Sequence, residues 1–159
     1  MNIILLSGGS GKRLWPLSND IRSKQFIKLF KDDNGNYESM VQRVYRQITT
    51  VNPMVKVTVA TSKNQVSVIK SQLGEKINIC VEPSRRDTFP AILLAAAYIH
   101  YELGIGVEEC IAVCPVDPYV DNDYYKCVGE LENLVEAGTA NLTLMGIKPT
   151  YPSDKYGYI

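Results

Sequence analysis

A chain of 159 residues with zero formal net charge, 45% apolar and 21% charged residues has the composition of one ordinary globular domain. Zero net charge excludes a whole-molecule field that gathers nucleic acid or an anionic membrane surface, and no stretch approaches the ~20 apolar residues of a membrane span. The four cysteines form no Cys-x-x-Cys pair and the single histidine completes no zinc set, so Cys80, Cys110 and Cys114, inside apolar runs, read as buried free thiols. No leader segment is read, and the cytoplasm is the default compartment.

The first element is a short apolar run, Ile3-Ile4-Leu5-Leu6, which reads as a buried strand. It breaks into Ser7-Gly8-Gly9-Ser10-Gly11, followed at once by Lys12 and Arg13. Glycines let a ligand approach the backbone closely, and successive exposed N–H groups beside cations form an anion cradle. Neither common phosphate motif fits. A Walker A loop would need glycine at Leu6 and Ser or Thr at Arg13; a dinucleotide fingerprint would need glycine at Leu14. Between Ser10 and Lys31 six cations stand against one anion, Asp20, a balance that suits a small polyanion. The plainer alternative is a glycine turn leaving a buried strand, with its cations solvated.

Ser18–Phe30 shows no periodicity, and Asp32-Asp33-Asn34-Gly35-Asn36 reads as a turn. Helical spacing of Met40, Val41, Val44, Tyr45 and Ile48 predicts a helix from about Ser39 to Thr50, stopped by Asn52-Pro53. Val55–Ala60 alternates and predicts a strand. Ser62 is placed to cap a helix carrying Val66, Ile69 and Leu73 and ending at Gly74. Ile77–Val81 predicts a third strand. Glu82-Pro83-Ser84-Arg85-Arg86-Asp87-Thr88 leaves it, and Asp87 or Thr88 caps a helix to about Tyr101. That helix is apolar nearly all round, the pattern of a buried helix. Cys110–Cys114 predicts a fourth strand, ending in Pro115-Val116-Asp117-Pro118. A helix from Asp121 or Asn122 follows, with Tyr124, Val128, Leu131 and Val135 inward. Leu142–Ile147 reads as a fifth strand and Tyr156–Ile159 as the opening of another.

This alternation predicts a Rossmann-like, mostly parallel α/β sheet with helices on both faces. Ligands in such sheets bind at the carboxyl ends of the strands. Gly8–Arg13, Glu82–Thr88 and Pro115–Asp117 all follow strands directly, so the fold brings them to one rim.

Gly8-Gly9-Ser10-Gly11-Lys12-Arg13-Leu14-Trp15-Pro16, with Ser23-Lys24-Gln25-Phe26 downstream, resembles the signature of sugar-1-phosphate nucleotidyltransferases, most closely the mannose-1-phosphate guanylyltransferases. Their pattern is Gly-Gly-x-Gly-x-Arg-Leu-x-Pro-Leu-Ser, then Pro-Lys-Gln-Phe. Glu82-Pro83 with Arg86-Asp87-Thr88-x-Pro90-Ala91, then Pro115-Val116-Asp117, then Gly146-Ile147-Lys148-Pro149-Thr150 and Tyr156-Gly157-Tyr158-Ile159 are similar to further blocks of that family. The resemblance implies transfer of a nucleotidyl group from GTP to mannose 1-phosphate, giving GDP-mannose and pyrophosphate. It implies catalytic roles for Arg13 and Lys24, and for Asp117 as the Mg²⁺ ligand. It implies nucleotide contacts by Leu6, Gly8, Gly9, Ser10, Gly11, Glu82, Arg86, Asp87 and Thr88, and a sugar pocket opened by Gly157 and Tyr158. Ser23 stands where the family has proline, Phe89 where it often has alanine, Arg85 where it often has glycine, and Pro118 where it has histidine. A related enzyme with another base or sugar, and a nucleotide-binding module without turnover, are the alternative readings. Residues 1–159 read as the N-terminal part of a domain that continues, a form whose open sheet edge favours homo-oligomers.

Overall fold

A computed structural model describes residues 1–9, 16–18, 23–154 and 157–158. In chain order the elements are β1 (Asn2–Leu6), β2 (Lys28–Lys31), β3 (Tyr37–Ser39), α1 (Met40–Val51), β4 (Lys56–Ser62), α2 (Val66–Leu73), β5 (Asn78–Glu82), α3 (Thr88–Tyr101), β6 (Ile111–Pro115) and α4 (Asn122–Glu136). One short 3₁₀ turn, Lys24–Phe26, precedes β2, and another, Lys63–Gln65, leads into α2.

β1, β4, β5 and β6 form a wholly parallel sheet in the order β5-β4-β1-β6. The chain steps outward from β1 through β4 to β5, then returns to the other side of β1 as β6. The order therefore reverses between β1 and β6, the position where open α/β sheets bind ligands. Side chains of β1 alternate between two cores, so both its faces are buried. Ile3 and Leu5 pack with Val57, Val59 and Cys114 beneath α1, α2 and α4. Ile4 packs with Ala60 and Cys80 against Ala95 and Ile99 of α3. The predicted α/β architecture, with helices on both faces, is thus the one formed.

Five local readings are corrected. β2 and β3 make an antiparallel hairpin around the Asp32–Asn36 turn, where no strand is legible by periodicity. Glu38, buried on β3, accepts from Nη2 and Nε of the Arg46 guanidinium at 2.8 and 3.1 Å and so fastens the hairpin to α1. Ser62 does not cap α2; the 3₁₀ turn intervenes and turns Gln65 inward. α3 is not buried all round: Ala91, Ala95 and Ile99 are its buried residues, Ala96 and Tyr98 are half-buried against the same core, and Phe89 is 73% and Leu93 59% exposed. In α4 it is Tyr125 with Val128 that is buried, Tyr124 being half-buried beside it. Leu142–Ile147 forms no strand, and Leu142, Leu144 and Ile147 are exposed.

All four cysteines are free; Cys80 and Cys114 are buried, Cys110 is half-buried and Cys127 is exposed. Burial pushes the Cys114 thiol up to about 11, which leaves it an inert packing group.

Candidate active site

The loop after β1 starts on the sheet's carboxyl rim, where the Ser7 N–H donates to the Ala60 carbonyl at 2.9 Å and extends the ladder by one residue. Gly8 follows. A Cβ there would lie 2.9 Å from Oε1 of Glu82, the last residue of β5, so a larger residue would push this carboxylate away from the loop. Desolvation raises the Glu82 carboxyl above its ordinary range, and the nearby Arg85 charge opposes that rise. Ser10, Gly11 and Arg13 lie outside the described residues.

Two buried glutamines tie this loop to the segment carrying Lys24. Gln25 Nε2 donates to the Ser7 carbonyl at 3.0 Å. Gln65 Nε2 donates to Ser23 Oγ at 2.8 Å and to the Gly9 carbonyl at 3.4 Å, while Gln65 Oε1 accepts from the Thr61 hydroxyl at 2.7 Å. Lys24 lies between these ties, at the start of its 3₁₀ turn, and its ammonium meets Asp117 Oδ2 at 3.0 Å. Asp117 follows the end of β6 by two residues. The loop bearing it is anchored by Tyr119, whose ring lies 4.7 Å from the Arg43 guanidinium and 5.5 Å from the Phe30 ring. It is held again at the Val120 carbonyl, which accepts from Arg43 at 3.2 Å and Gln47 at 2.9 Å. Lys24 and Asp117, read from separate motifs 93 positions apart, are therefore brought together at the switch between β1 and β6.

The segment after β5 is exposed. Arg86 Nε donates to Ser84 Oγ at 3.3 Å. Asp87 Oδ1 accepts from the Thr88 N–H at 2.8 Å and begins α3. Asp87 has φ 72° and ψ −173°, and is the one non-glycine residue with positive φ among those described. That region is strained for a side-chain-bearing residue and is found mainly where function holds it. Asp87 and Thr88 thus serve as a helix start whatever else they contact. Leu6 ends β1 between Ala60 and Pro115. Tyr158 is exposed; its hydroxyl accepts from the Ser153 N–H at 2.7 Å, and no described contact links it or Gly157 to Lys24 or Asp117.

Among the described residues no three His, Cys, Asp or Glu side chains cluster to hold a metal. Asp117 is a single exposed carboxylate at a strand end. Such a donor fits Mg²⁺, which binds through one or two carboxylates plus substrate phosphates and keeps several waters. Gln65 and Thr61 carry no signal a sequence motif would mark, and Ser23 is marked only as the residue standing where the family has proline.

A profile of the family described as nucleotidyl transferase matches residues 2–159. The chain belongs to the nucleotidyl transferase family. A mannose-1-phosphate guanylyltransferase of Escherichia coli is 34% identical over 160 residues, covering 98% of this chain and 33% of that protein. The xanthan biosynthesis protein XanB of Xanthomonas campestris is 33% identical over 159 residues, covering 98% and 32%. The solved structure of a Thermus thermophilus protein, named a mannose-1-phosphate geranyltransferase, superposes with a TM-score of 0.64 at 28% identity, covering 86% of this chain and 37% of that one. The chain spans about a third of the length of the curated relatives it matches. In this family member, then, the carboxyl rim carries Gly8 and Gly9 beside Glu82, and Lys24 beside Asp117.

Proposed function

We propose that the protein transfers the guanylyl group of GTP to mannose 1-phosphate, forming GDP-mannose and releasing pyrophosphate, within a chain of which residues 1–159 supply the nucleotide side. The observation that carries this reading is the Lys24–Asp117 pair at the switch between β1 and β6, beside the glycine loop. A cation and a carboxylate 3.0 Å apart on a ligand rim answer two charges of opposite sign, a phosphate and a metal ion.

In the reaction an oxygen of the sugar phosphate attacks the α-phosphorus. The bond from that phosphorus to the oxygen bridging to the β-phosphate breaks, and pyrophosphate leaves with that oxygen. The nucleophile is already anionic, so positioning and charge compensation supply the catalysis rather than a strong base. Lys24 offsets the charge of the incoming phosphate. Arg13, in the same loop motif, is assigned to the triphosphate, cradled by the backbone of Gly8, Gly9, Ser10 and Gly11 next to Leu6. Glu82 presents a carboxylate to the donor edge of guanine, with Arg86, Asp87 and Thr88 flanking it. Gly157 and Tyr158 are assigned to the sugar. Asp117 would hold Mg²⁺ shared with the triphosphate, which when bound neutralises phosphate charge. For the ligands to enter, the Lys24–Asp117 pair opens, which frees Lys24 for the incoming phosphate and Asp117 for the metal ion it would hold.

Pyrophosphate release by the full-length gene product tests the reading, with GTP, ATP, UTP, CTP or dTTP against mannose 1-phosphate or glucose 1-phosphate in Mg²⁺. GTP with mannose 1-phosphate is expected to be fastest. Preference for another nucleotide or sugar replaces the substrate assignment, and tight nucleotide binding without release of pyrophosphate leaves a binding module.

A further inference from the structure

We propose that Gln65 is a positioning residue for Lys24: its buried amide clamps the glycine loop and the lysine-bearing turn to the end of β4, and so sets where the ammonium meets the reacting phosphates. The clamp rests on the nucleotidyl-transfer reading of the site but is carried by its own geometry. Gln65 is 0% exposed, and so are Thr61 and Ser23. Each of its hydrogen-bonding groups is spent outside its own helix, on Thr61 at 2.7 Å, Ser23 at 2.8 Å and the Gly9 carbonyl at 3.4 Å. These partners belong to three segments far apart in the chain, two of them flanking the proposed phosphate site. A residue kept only to fill space there would be apolar, since a buried amide must find every partner or cost stability.

The backbone around Lys24 is fixed on both sides. Ser23 is held by Gln65, and its carbonyl accepts from the Phe26 N–H at 3.0 Å. Gln25 is held on the Ser7 carbonyl at 3.0 Å. Lys24 therefore has a fixed backbone, and its ammonium is the atom 3.0 Å from Asp117. Ser23 has φ −66°, the angle a proline ring imposes, so proline fits its backbone while removing the hydroxyl that receives the Gln65 amide.

The test uses the full-length protein with Gln65→Leu, Ser23→Pro and the double variant. Gln65→Glu, which replaces the amide donors by a second acceptor facing the Gly9 carbonyl, serves if Gln65→Leu does not fold. Three results are expected. Gln65→Leu lowers kcat about tenfold to a hundredfold while KM for GTP moves less than about threefold. Amide hydrogen exchange of residues 7–9 and 23–27 speeds up together, with the β2–β3 hairpin unchanged. The double variant is more active than Ser23→Pro alone, because only the single variant strands the Gln65 N–H groups. A kcat within about twofold of wild type alongside a lowered melting temperature makes Gln65 a packing residue and overturns the clamp. So does unchanged exchange at 23–27. If wild type transfers no nucleotide at all, the functional reading fails while exchange and the double-variant melting temperature still judge the clamp.

Discussion

Lys24 and Asp117 show how a side chain's surroundings separate function from stability. Their ion pair is partly exposed on both sides, and pairs of this kind contribute about 0–1 kcal/mol. Asp117→Asn is therefore expected to move the melting temperature by less than about 4 °C in a chain of this size. It is expected to weaken the gain in GTP affinity that Mg²⁺ provides by about tenfold or more, read by calorimetric titration with and without the metal. An unchanged Mg²⁺ effect would leave Asp117 as a turn residue bound to a lysine. Glu82 gives the opposite balance. Desolvation holds its folded carboxyl above the unfolded value, so across the window just above the ordinary carboxylate range the folded state binds more protons than the unfolded chain. Stability contributed by Glu82 thus falls as pH rises through that window and stays lower at neutral pH. Glu82→Gln should raise the melting temperature at pH 7 and match wild type near pH 4, while weakening GTP binding; a larger gain at pH 4 than at pH 7 would contradict the sign. Glu82 and Asp117 were legible because each lies in a block that leaves a strand directly, and Lys24 because it falls in Ser23-Lys24-Gln25-Phe26, which resembles the family signature. Gln65 was not, since nothing in its neighbours' periodicity shows that a polar side chain turns inward across three segments.

At the scale of elements, the informative case is the start of α3. Asp87 bears the strained φ 72° and also caps the helix through the Thr88 N–H at 2.8 Å. Asp87→Ala keeps the strain and loses the cap, at a cost of about 1 kcal/mol, or about 2–4 °C in melting temperature. Asp87→Gly loses the same cap but relieves strain worth about 1–3 kcal/mol, so it should melt above Asp87→Ala and at or above wild type. Scanning calorimetry on the two variants decides it; equal losses would mean that the backbone there relaxes freely. The helix itself was legible from composition, but its burial was not. An all-apolar pattern specifies that a helix has no polar face, and leaves open whether anything covers the second apolar one. In the described residues α3 buries Ala91, Ala95 and Ile99, with Ala96 and Tyr98 half-buried beside them, and leaves Phe89 and Leu93 exposed. The β2–β3 hairpin was missed for the reverse reason. Its strands are short, β2 carries two lysines, and they are held by the bidentate Glu38–Arg46 pair and the one Phe30 ring rather than by an alternating apolar face.

For the whole molecule, cohesion is uneven along the chain. The segment from Met1 to Glu136 closes two cores around β1, with α1, α2 and α4 on one face and α3 on the other. Beyond Glu136 the described chain to Asp154 adds no strand or helix. Leu142, Leu144, Ile147 and Tyr151 are exposed, and Met145 packs against the core. A segment with one partly buried apolar anchor opens locally at little free-energy cost, because few contacts must break together. Limited subtilisin digestion of the 159-residue chain should therefore cut first between residues 137 and 154 among the positions from 23 onward, leaving β4, β5 and β6 intact. A chain ending at Glu136 should melt within about 4 °C of the longer one, since half-burying one methionine contributes only about 1 kcal/mol. The alternating Leu142–Ile147 pattern, which predicts a strand, makes the result diagnostic. If that run pairs with a sheet edge in solution, the same digestion spares it and cuts elsewhere, and deletion after Glu136 lowers the melting temperature by far more than one anchor explains.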